Sequence, residues 1–278
     1  GQRGRHHRDG LCHLLAFGRS GRSLTSPSMV ERSSRRRTRI SDPFRFDRDL
    51  LADAVGAAVS GRGGSGADDL QDGDGNPGGS AGDLRLAGAD EAGRGCLAGP
   101  LVAAAVVLDY AAAPFPALRG LTDSKLLTPE AREGLYQGVL RSAARVSWAT
   151  CSPGTIDRDG LHPCNLGALS RALQSLDREY ALAVVDGFEL SLPELRVRSL
   201  VGADYKSAAV AAASVVAKVV RDRLMRTLAP RYPEYGFAEH VGYGTDRHRE
   251  ALKKHGPCAL HRLSFQGVAT PQLGLWEE

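Results

Sequence analysis

The distribution of apolar residues along the chain limits which part of it can fold. From residue 84 onward, short apolar runs alternate with amphipathic stretches long enough to form helices. Residues 1–49 instead contain twelve arginines, no lysine and five acidic residues, and residues 50–83 contain six aspartates among many glycines. Segments this poor in apolar residues cannot bury enough surface to offset the entropy lost on ordering. The sequence therefore predicts three parts: a disordered basic tail with a Gly/Asp-rich linker over residues 1–83, a folded domain over residues 84–270, and a C-terminal tail over residues 271–278.

The net positive charge of the chain comes from its N-terminal tail. The formal net charge is +4, but basic and acidic residues are nearly balanced from residue 84 onward. Charge alone therefore does not indicate a nucleic-acid partner for the folded part. Three interpretations of residues 1–49 stay open: a disordered or spuriously translated extension, an accessory nucleic-acid-binding tail, and a targeting segment.

Cysteine spacing and hydropathy bear on the location of the protein. The five cysteines lie far apart and form no CxxC pair. This pattern favours a reducing compartment and no structural zinc site. No apolar run approaches the roughly 20 residues that a membrane-spanning helix needs. We therefore expect a cytoplasmic protein with no membrane partner.

Apolar runs and helix boundary signals alternate along the predicted domain. Thr128 and Pro129 occupy positions typical of a helix start, and Thr245 begins a last helix that ends at Gly256. The pattern predicts strands at residues 84–91, 101–108, 145–151, 181–186 and 196–200, and helices at about 128–144, 165–180, 206–228 and 245–256. This order describes an α/β fold in which helices flank one mixed five-stranded sheet, with a helical region at the C-terminal end.

The predicted helix at residues 206–228 has an apolar and a polar face. We expect the apolar stripe to pack on the sheet and the polar face to contact solvent. The stripe consists of Val216, Val220, Leu224 and Leu228, and the polar face carries Lys218, Arg221, Asp222 and Arg226.

Four acidic residues stand at the ends of predicted core elements. Asp90 and Glu91 precede the glycine-rich turn AGRGCLAGP, Asp186 follows the apolar run ALAVV, and Asp204 precedes the long helix. Taken singly, each has a structural explanation as a turn former or helix cap. Gathered at one sheet edge, they would repel one another unless cations neutralised them. Hard carboxylate oxygens suit Mg²⁺ or Mn²⁺, and two such ions about 4 Å apart can promote phosphodiester hydrolysis.

An ordered series of motifs makes this interpretation more specific. The segment GADEAGRG at residues 88–95, followed by Gly99 and Pro100, resembles the signature of the type 2 ribonucleases H, and of ribonuclease HII in particular. Further segments resemble that family in the same order: TDSK at 122–125, VDG at 185–187, AAS, AKV and RD within 212–222, and YGF, His240, GY and His248 within 235–248. The resemblance covers residues 86 to about 266 and implies an RNase H-like fold.

The resemblance also implies an activity and a catalytic centre. The family's activity is that of an endonuclease on the RNA strand of RNA–DNA hybrids, which also cuts on the 5′ side of ribonucleotides embedded in duplex DNA. The matching catalytic and metal-binding residues are Asp90, Glu91, Asp186 and Asp204. Two Mg²⁺ or Mn²⁺ ions held there would leave 5′-phosphate and 3′-hydroxyl ends without a protein nucleophile.

Two further motifs match the parts of the family that recognise the substrate. Gly93, Arg94 and Gly95 correspond to the loop that reads the 2′-hydroxyl, the group that distinguishes RNA from DNA. The structural alternative for this loop is a simple tight turn. Tyr243 corresponds to the tyrosine that packs on the deoxyribose just 3′ of the ribonucleotide. Without the motif match, it would be interpreted as a core aromatic residue.

Four other polar residues are candidates for contacting nucleic acid. Lys125, Lys206 and Ser207 are expected to hold backbone phosphates, and Asn165 corresponds to a family asparagine that contacts nucleic acid. The alternatives are a solvated surface lysine for Lys125 and a helix N-cap for Asn165. Val241 stands where the family often has a lysine, which removes one plausible phosphate contact.

The motifs also separate this interpretation from its rivals. The 93–95 loop and Tyr243 argue against a junction resolvase. Residues 1–83 lack the composition of the extra N-terminal domain that ribonuclease HIII carries. The four carboxylates argue against a catalytically silent hybrid-binding protein. We therefore expect a monomeric enzyme in ribonucleotide excision repair and DNA replication, with protein partners that the sequence does not identify.

Overall fold

The computed structural model of the protein describes residues 42–62, 84–122, 124–176 and 179–269, apart from the side chains of residues 58–62 and 125. The helices and strands in these ranges are, in chain order, α1 Pro43–Arg62, β1 Arg85–Ala92, β2 Leu101–Asp109, α2 Pro129–Ser142, β3 Arg145–Cys151, α3 Pro153–Asp159, α4 Leu161–Gln174, β4 Leu182–Asp186, β5 Val197–Leu200, α5 Ala203–Lys206, α6 Ala208–Leu228, α7 Phe237–His240 and α8 Asp246–His255. The predicted strands agree with the observed strands to within one residue at each end.

The five strands form one mixed sheet in the order β3-β2-β1-β4-β5. Strand β1 is antiparallel to β2, and β2 is antiparallel to β3. Strands β1, β4 and β5 run parallel to one another. The predicted α/β fold with a mixed five-stranded sheet is therefore confirmed. Because β1 and β4 are parallel neighbours, their carboxyl ends, which carry Asp90 and Asp186, meet at one edge of the sheet.

Helices cover both faces of the sheet and enclose two apolar cores. Helix α6 packs on one face together with α1 and α2, and α4 packs on the other. The alanine-rich side of α6 lies very close to β1. A Cβ atom at Gly88 would lie only 2.1 Å from the backbone carbonyl carbon of Ala209. Small residues on both elements therefore bring the long helix against the strand that carries Asp90.

The C-terminal helical region is confirmed and has a core of its own. Helices α7 and α8 enclose a third cluster that includes Met225, Tyr235, Phe237 and Leu252. Leu97 and Ala98, in the loop after β1, belong to the same cluster. The C-terminal region is thereby packed directly against the loop that follows the first acidic pair.

Helix α1 contradicts the prediction that the folded part begins at residue 84. Leu50 and Leu51 are buried in the core beside α6. Asp47 is fully buried and accepts hydrogen bonds from the Tyr110 hydroxyl, at 2.5 Å, and from the Ala209 amide, at 3.0 Å. Residues 43–62 are therefore part of the folded domain.

The start of the folded part was predicted wrongly because residues 50–83 contain both the end of a helix and a glycine-rich segment. Their combined composition is poor in apolar residues. Within residues 50–83, only one glycine precedes residue 61, and the others follow from that point. Averaging the composition concealed the leucines and alanines of residues 50–58. The predictions for residues 1–41, 63–83 and 270–278 lie outside the described part of the chain.

Two predicted helices differ from the observed ones. The 206–228 helix is broken at Ser207 into α5 and α6, and its faces are not divided as expected: Arg221 is fully buried, whereas Leu224 is exposed. The 165–180 helix begins earlier, at Leu161, with Gly160 as its N-cap. Among the described residues, no helix is both long and apolar enough to span a membrane.

Candidate active site

A cavity of about 530 Å³ opens at the edge of the sheet where β1 and β4 end. It brings together many of the residues singled out from the sequence, namely Asp90, Glu91, Gly93, Arg94, Gly95, Asp186 and Tyr243. It is also lined by Ser124, Arg132 and Lys218, none of which was predicted as a site residue.

The adjacent acids Asp90 and Glu91 lie in a poorly solvated environment. Burial, and after it the charge of Glu91, raises the pKa of Asp90 to about 8. Burial also raises the pKa of Glu91, although the Arg94 guanidinium, 3.6 Å from the carboxylate, opposes this shift. Both carboxyl groups therefore bind protons more readily than usual in the absence of a cation.

The two remaining acids stand at the junction of β4 and α5. The Asp186 carboxylate accepts a hydrogen bond of 2.7 Å from the Ala203 amide, which fixes the start of α5 against the end of β4. Asp204 follows in the first turn of α5 and is 3% exposed. Asp186 lines the cavity, whereas Asp204 is not among its lining residues.

The chemistry of these acids fits a hard divalent cation. Asp90, Glu91 and Asp186 surround one cavity, and Oε2 of Glu91 is buried without a hydrogen-bond partner among the described residues. A cation would satisfy that oxygen and relieve the repulsion between the carboxylates. In the described part of the chain, no three His, Cys, Asp or Glu side chains already converge on a point that would hold a metal ion.

The loop at residues 93–95 is shaped by its two glycines. Gly93 has φ of +95°, and a Cβ atom there would lie 2.0 Å from Nε of Arg221. Gly95 is exposed, and a Cβ atom there would meet nothing within 4 Å. Between them, the Arg94 guanidinium lies over the Phe188 ring at 4.6 Å. The loop therefore presents an open backbone surface toward the cavity.

Two buried arginines hold this loop in place, and the sequence interpretation missed both roles. The Arg221 guanidinium donates hydrogen bonds to the carbonyls of Ala98, Pro100 and Val241. The Arg262 guanidinium donates to the carbonyls of Arg94 and Gly99. Arg221 was noted only as part of an RD motif and a polar helix face, and no local pattern singles out Arg262.

Ser124 of the TDSK segment is linked to Asp90 through Ser214. A hydrogen bond from Ser214 lowers the pKa of Asp90, and the Ser214 hydroxyl lies 2.9 Å from the Ser124 hydroxyl. Arg132 donates hydrogen bonds to the carbonyls of Ser124, at 2.9 Å, and Leu127, at 2.8 Å. Arg132 thus secures the segment from the start of α2. The side chain of Lys125 lies outside the described part of the structure.

The two predicted phosphate contacts at residues 206 and 207 differ in burial. Ser207 is fully buried, and its hydroxyl accepts a hydrogen bond from the Val210 amide. Ser207 is therefore the N-cap of α6 and not a phosphate ligand. Lys206 is exposed and donates a hydrogen bond of 2.7 Å to the Val201 carbonyl, so its predicted phosphate contact remains a proposal.

Asn165 is neither a helix cap nor a surface residue. It lies inside α4 and is 0% exposed, so a direct contact with nucleic acid is ruled out in this conformation. Its amide lies beside Glu91 and lowers the pKa of that carboxyl. Neither amide atom makes a hydrogen bond of normal geometry with a described residue. Asn165 therefore affects the ionisation of Glu91 from a buried position in α4.

Tyr243 lines the same cavity as the acids. Its side chain is 39% exposed, which contradicts its interpretation as a core aromatic residue. Lys218 Nζ lies 4.9 Å from the ring centroid, and the same ammonium group is 2.7 Å from the Asp222 carboxylate. The ring is thus held beside the Lys218 ammonium group and lines the same cavity as the 93–95 loop.

Comparisons with known proteins agree with this geometry. Residues 87–268 match the family model described as Ribonuclease HII. The chain is 50% identical over 191 residues to the ribonuclease HII of Xanthobacter autotrophicus. This alignment covers 69% of this chain and 75% of the relative. It is 48% identical over 183 residues to the ribonuclease HII of Rhizobium meliloti, which covers 65% of this chain and 82% of the relative.

Solved structures show the same likeness. The ribonuclease H2 of Pyrococcus horikoshii OT3 gives a TM-score of 0.57 at 30% identity, over 66% of this chain and 95% of that protein. The ribonuclease HII in a complex with PCNA from Archaeoglobus fulgidus gives a TM-score of 0.56 at 30% identity, over 66% of this chain and 96% of that protein. The resemblance indicated by the motifs is confirmed.

Proposed function

The chain belongs to the ribonuclease HII family and is an endonuclease that cleaves the RNA strand of RNA–DNA hybrids with divalent metal ions; we propose that it also cuts on the 5′ side of single ribonucleotides embedded in duplex DNA. This activity would place it in ribonucleotide excision repair and in DNA replication. Separately, we propose that the protein is cytoplasmic and monomeric.

One observation carries this proposal: the acids, the 93–95 loop and Tyr243 line the same cavity. The carboxylates act at the phosphate, which RNA and DNA share, so they cannot distinguish the two sugars. Discrimination must come from groups that approach the sugar. The open backbone at Gly95 suits recognition of a 2′-hydroxyl, and the Tyr243 ring suits packing on the next deoxyribose.

We assign the metal ions to the four predicted carboxylates. Asp90, Glu91 and Asp186 supply ligands from the cavity, and Asp204 supplies a fourth from the adjoining turn. Two bound Mg²⁺ or Mn²⁺ ions would neutralise charge at the scissile phosphate and acidify the attacking water. Asn165 and Ser214 orient the Glu91 and Asp90 carboxyl groups, and Lys218 adds positive charge beside Tyr243. Lys125 and Lys206 are proposed to bind the flanking phosphates.

The proposal is tested by comparing two substrates, a DNA duplex with one ribonucleotide and an uninterrupted RNA–DNA hybrid. Wild-type protein should cut both with Mg²⁺ or Mn²⁺, on the 5′ side of the single ribonucleotide, and neither with EDTA. Tyr243→Ala should lose more activity on the single-ribonucleotide duplex, because base or sugar packing on an aromatic ring is worth about 1–3 kcal/mol. That loss corresponds to roughly five- to more than a hundredfold in rate.

A matched control is Trp148→Ala, which removes an exposed aromatic residue from the edge strand β3 and should cut both substrates like wild type. Failure of the wild type to cut at a single ribonucleotide would overturn the proposal. Equal fractional losses on the two substrates in Tyr243→Ala would remove the tyrosine from junction recognition and leave the hybrid activity in place.

A further inference from the structure

Buried histidines lie beneath the turn that carries Tyr243. His248 is 0% exposed and His261 is 2% exposed, and neither lines the cavity. The His248 ring is stacked on that of His240, with centroids 4.5 Å apart, and its centroid is 5.2 Å from that of His261. Phe237 contacts the rings of both His248 and His261. The family motifs matched His240 and His248 but assigned them no role.

The hydrogen bonds of two of these rings determine where their protons lie. The Cys258 amide donates to Nδ1 of His261 at 2.9 Å, so that nitrogen is an acceptor and the proton of the neutral ring is on Nε2. Nε2 of His261 lies 3.0 Å from Nε2 of His248 and donates to it. The proton of His248 is then on Nδ1, which donates to the Tyr243 carbonyl at 2.8 Å. All four ring nitrogens are used, and the direction of the chain is unique.

This chain requires both rings to be neutral. Burial lowers the pKa of His248, and burial together with the neighbouring His248 lowers the pKa of His261 to about 4. Both rings are therefore uncharged near neutral pH. A second proton on His248 would place two N–H groups opposite each other across the 3.0 Å contact with His261. A second proton on His261 would do the same across the 2.9 Å contact with the Cys258 amide. With both rings neutral, Nδ1 of His248 donates a hydrogen bond to the Tyr243 carbonyl.

The turn is also held from its other side. The Gly242 carbonyl accepts hydrogen bonds from the amides of Leu97, at 3.0 Å, and Ala98, at 3.3 Å, which lie just after the 93–95 loop. The next carbonyl, that of Tyr243, accepts hydrogen bonds from His248 Nδ1, at 2.8 Å, and from the Thr245 amide, at 2.9 Å. Two successive peptide groups are therefore fixed by hydrogen bonds, one to the segment after the 93–95 loop and one to the histidines. The main chain that carries the Tyr243 ring is held at both groups.

We propose that His248 and His261 are positioning residues for substrate selection, which hold the Tyr243 ring at the distance from the 93–95 loop that a ribonucleotide–deoxyribonucleotide junction requires. This inference rests on the proposed role of Tyr243 in junction recognition. A purely structural role would lower stability without changing the choice between substrates.

The test uses the full chain and measures the ratio of kcat/KM on the single-ribonucleotide duplex to kcat/KM on the uninterrupted hybrid. His248→Phe keeps an aromatic ring in the stack and removes the donor to Tyr243. We expect this ratio to fall about tenfold, with hybrid cleavage within about threefold of wild type. His248→Asn places an amide donor near the position of Nδ1 and should restore part of the ratio. Each rate is measured well below the Tm of that variant.

Tyr235→Phe is the matched control. It removes a 2.7 Å hydrogen bond to the Gly256 carbonyl within the same aromatic cluster and leaves the chain to Tyr243 intact. We expect a lower Tm and an unchanged ratio. An unchanged ratio in His248→Phe, together with a changed ratio in Tyr243→Ala, would overturn the positioning role and leave the proposed function standing. An unchanged ratio in Tyr243→Ala would overturn both the junction role of Tyr243 and the inference that depends on it.

A measurement on the wild-type protein keeps the inference falsifiable even where a variant does not fold. Nitrogen-15 NMR of histidine-labelled protein at neutral pH should show His248 protonated on Nδ1 and His261 protonated on Nε2. Any other tautomer for either ring would overturn the hydrogen-bond chain and the positioning role with it.

Discussion

At the scale of single residues, the fold holds its principal acids in an unfavourable environment. Asp90 is 5% exposed and adjoins Glu91, and burial with that neighbouring charge raises its pKa to about 8. Its folded pKa is above its ordinary value of 3.8, so the stability linked to this group is fully present below pH 3.8. That stability is lost as the pH rises through about 8. A bound divalent cation would favour the ionised carboxylate and so offset this raised pKa of Asp90.

Asp90→Asn is expected to abolish hydrolysis while making the metal-free protein more stable. An amide cannot supply the charge that a cation needs, but it also has no ionised form to desolvate. With EDTA present, the increase in Tm over wild type should be larger at pH 8 than at pH 5. For a protein of this size each kcal/mol corresponds to about 2–4 °C. Thermal unfolding at both pH values and a cleavage assay check this prediction.

Asp186→Asn should likewise abolish hydrolysis in either metal, because Asp186 lines the same cavity. If either variant kept more than a few per cent of wild-type activity, that residue would not belong to the catalytic centre. An equal or lower Tm of Asp90→Asn at pH 8 would contradict the raised pKa of Asp90.

At the scale of elements, the 93–95 loop is a rigid part of the site although it contains no helix or strand. The loop and the segment after it give carbonyls to Arg221, from α6, and to Arg262, from the C-terminal region. Gly93 is required by the nearby Arg221 side chain, whereas no atom of the described residues lies within 4 Å of a Cβ atom at Gly95. The proposed approach of the substrate sugar to this backbone would account for a glycine at this position.

Gly95→Ala is expected to leave the free protein as stable as wild type and to reduce cleavage strongly. An added methyl group meets no described atom within 4 Å, but it occupies the cavity where the sugar is proposed to lie. We expect a drop of at least tenfold in kcat/KM, measured together with Tm. Gly134→Ala, at an open position in α2, is the control and should keep full activity. Full activity of Gly95→Ala would show that the substrate does not approach this backbone.

At the scale of the whole molecule, the site is assembled from two parts of the domain. The sheet edge supplies the acids, and the C-terminal core supplies the turn with Tyr243. Helix α1 stabilises the start of α6, because Asp47 accepts a hydrogen bond from the Ala209 amide in the first turn of α6. The N-terminal helix therefore supports the long helix on which Lys218 and Arg221 are placed.

Removing residues 1–62 is expected to destabilise the protein relative to a truncation that removes only residues 1–41. The longer deletion uncovers the core surface that Leu50 and Leu51 bury, and each such side chain contributes about 1.5–3 kcal/mol. The loss should appear as a Tm lower by roughly 6 °C or more. Urea unfolding and calorimetry of the two proteins measure it. Equal Tm values would show that α1 is not part of the folded domain.

The sequence by itself determined the five strands, the starts of two helices and the acids that line the cavity. Strand periodicity and the caps at Thr128 and Thr245 act over a few residues, so the strand ends and the starts of α2 and α8 were predicted closely. The carboxyl ends of parallel neighbouring strands must meet at one sheet edge, and this rule brought Asp90 and Asp186 together. The motif order supplied the family, and with it the interpretation of Gly95 and Tyr243.

Only the tertiary structure decided which polar residues are buried and what they hold. Arg221 donates to a carbonyl 123 positions away, and Arg262 to one 163 positions away, so no local pattern reveals either contact. The same holds for Ser207 and Asn165, whose burial depends on the elements packed over them. A buried polar group is stable only with a partner or a neighbouring charge, and distant segments supply that partner once the chain has folded.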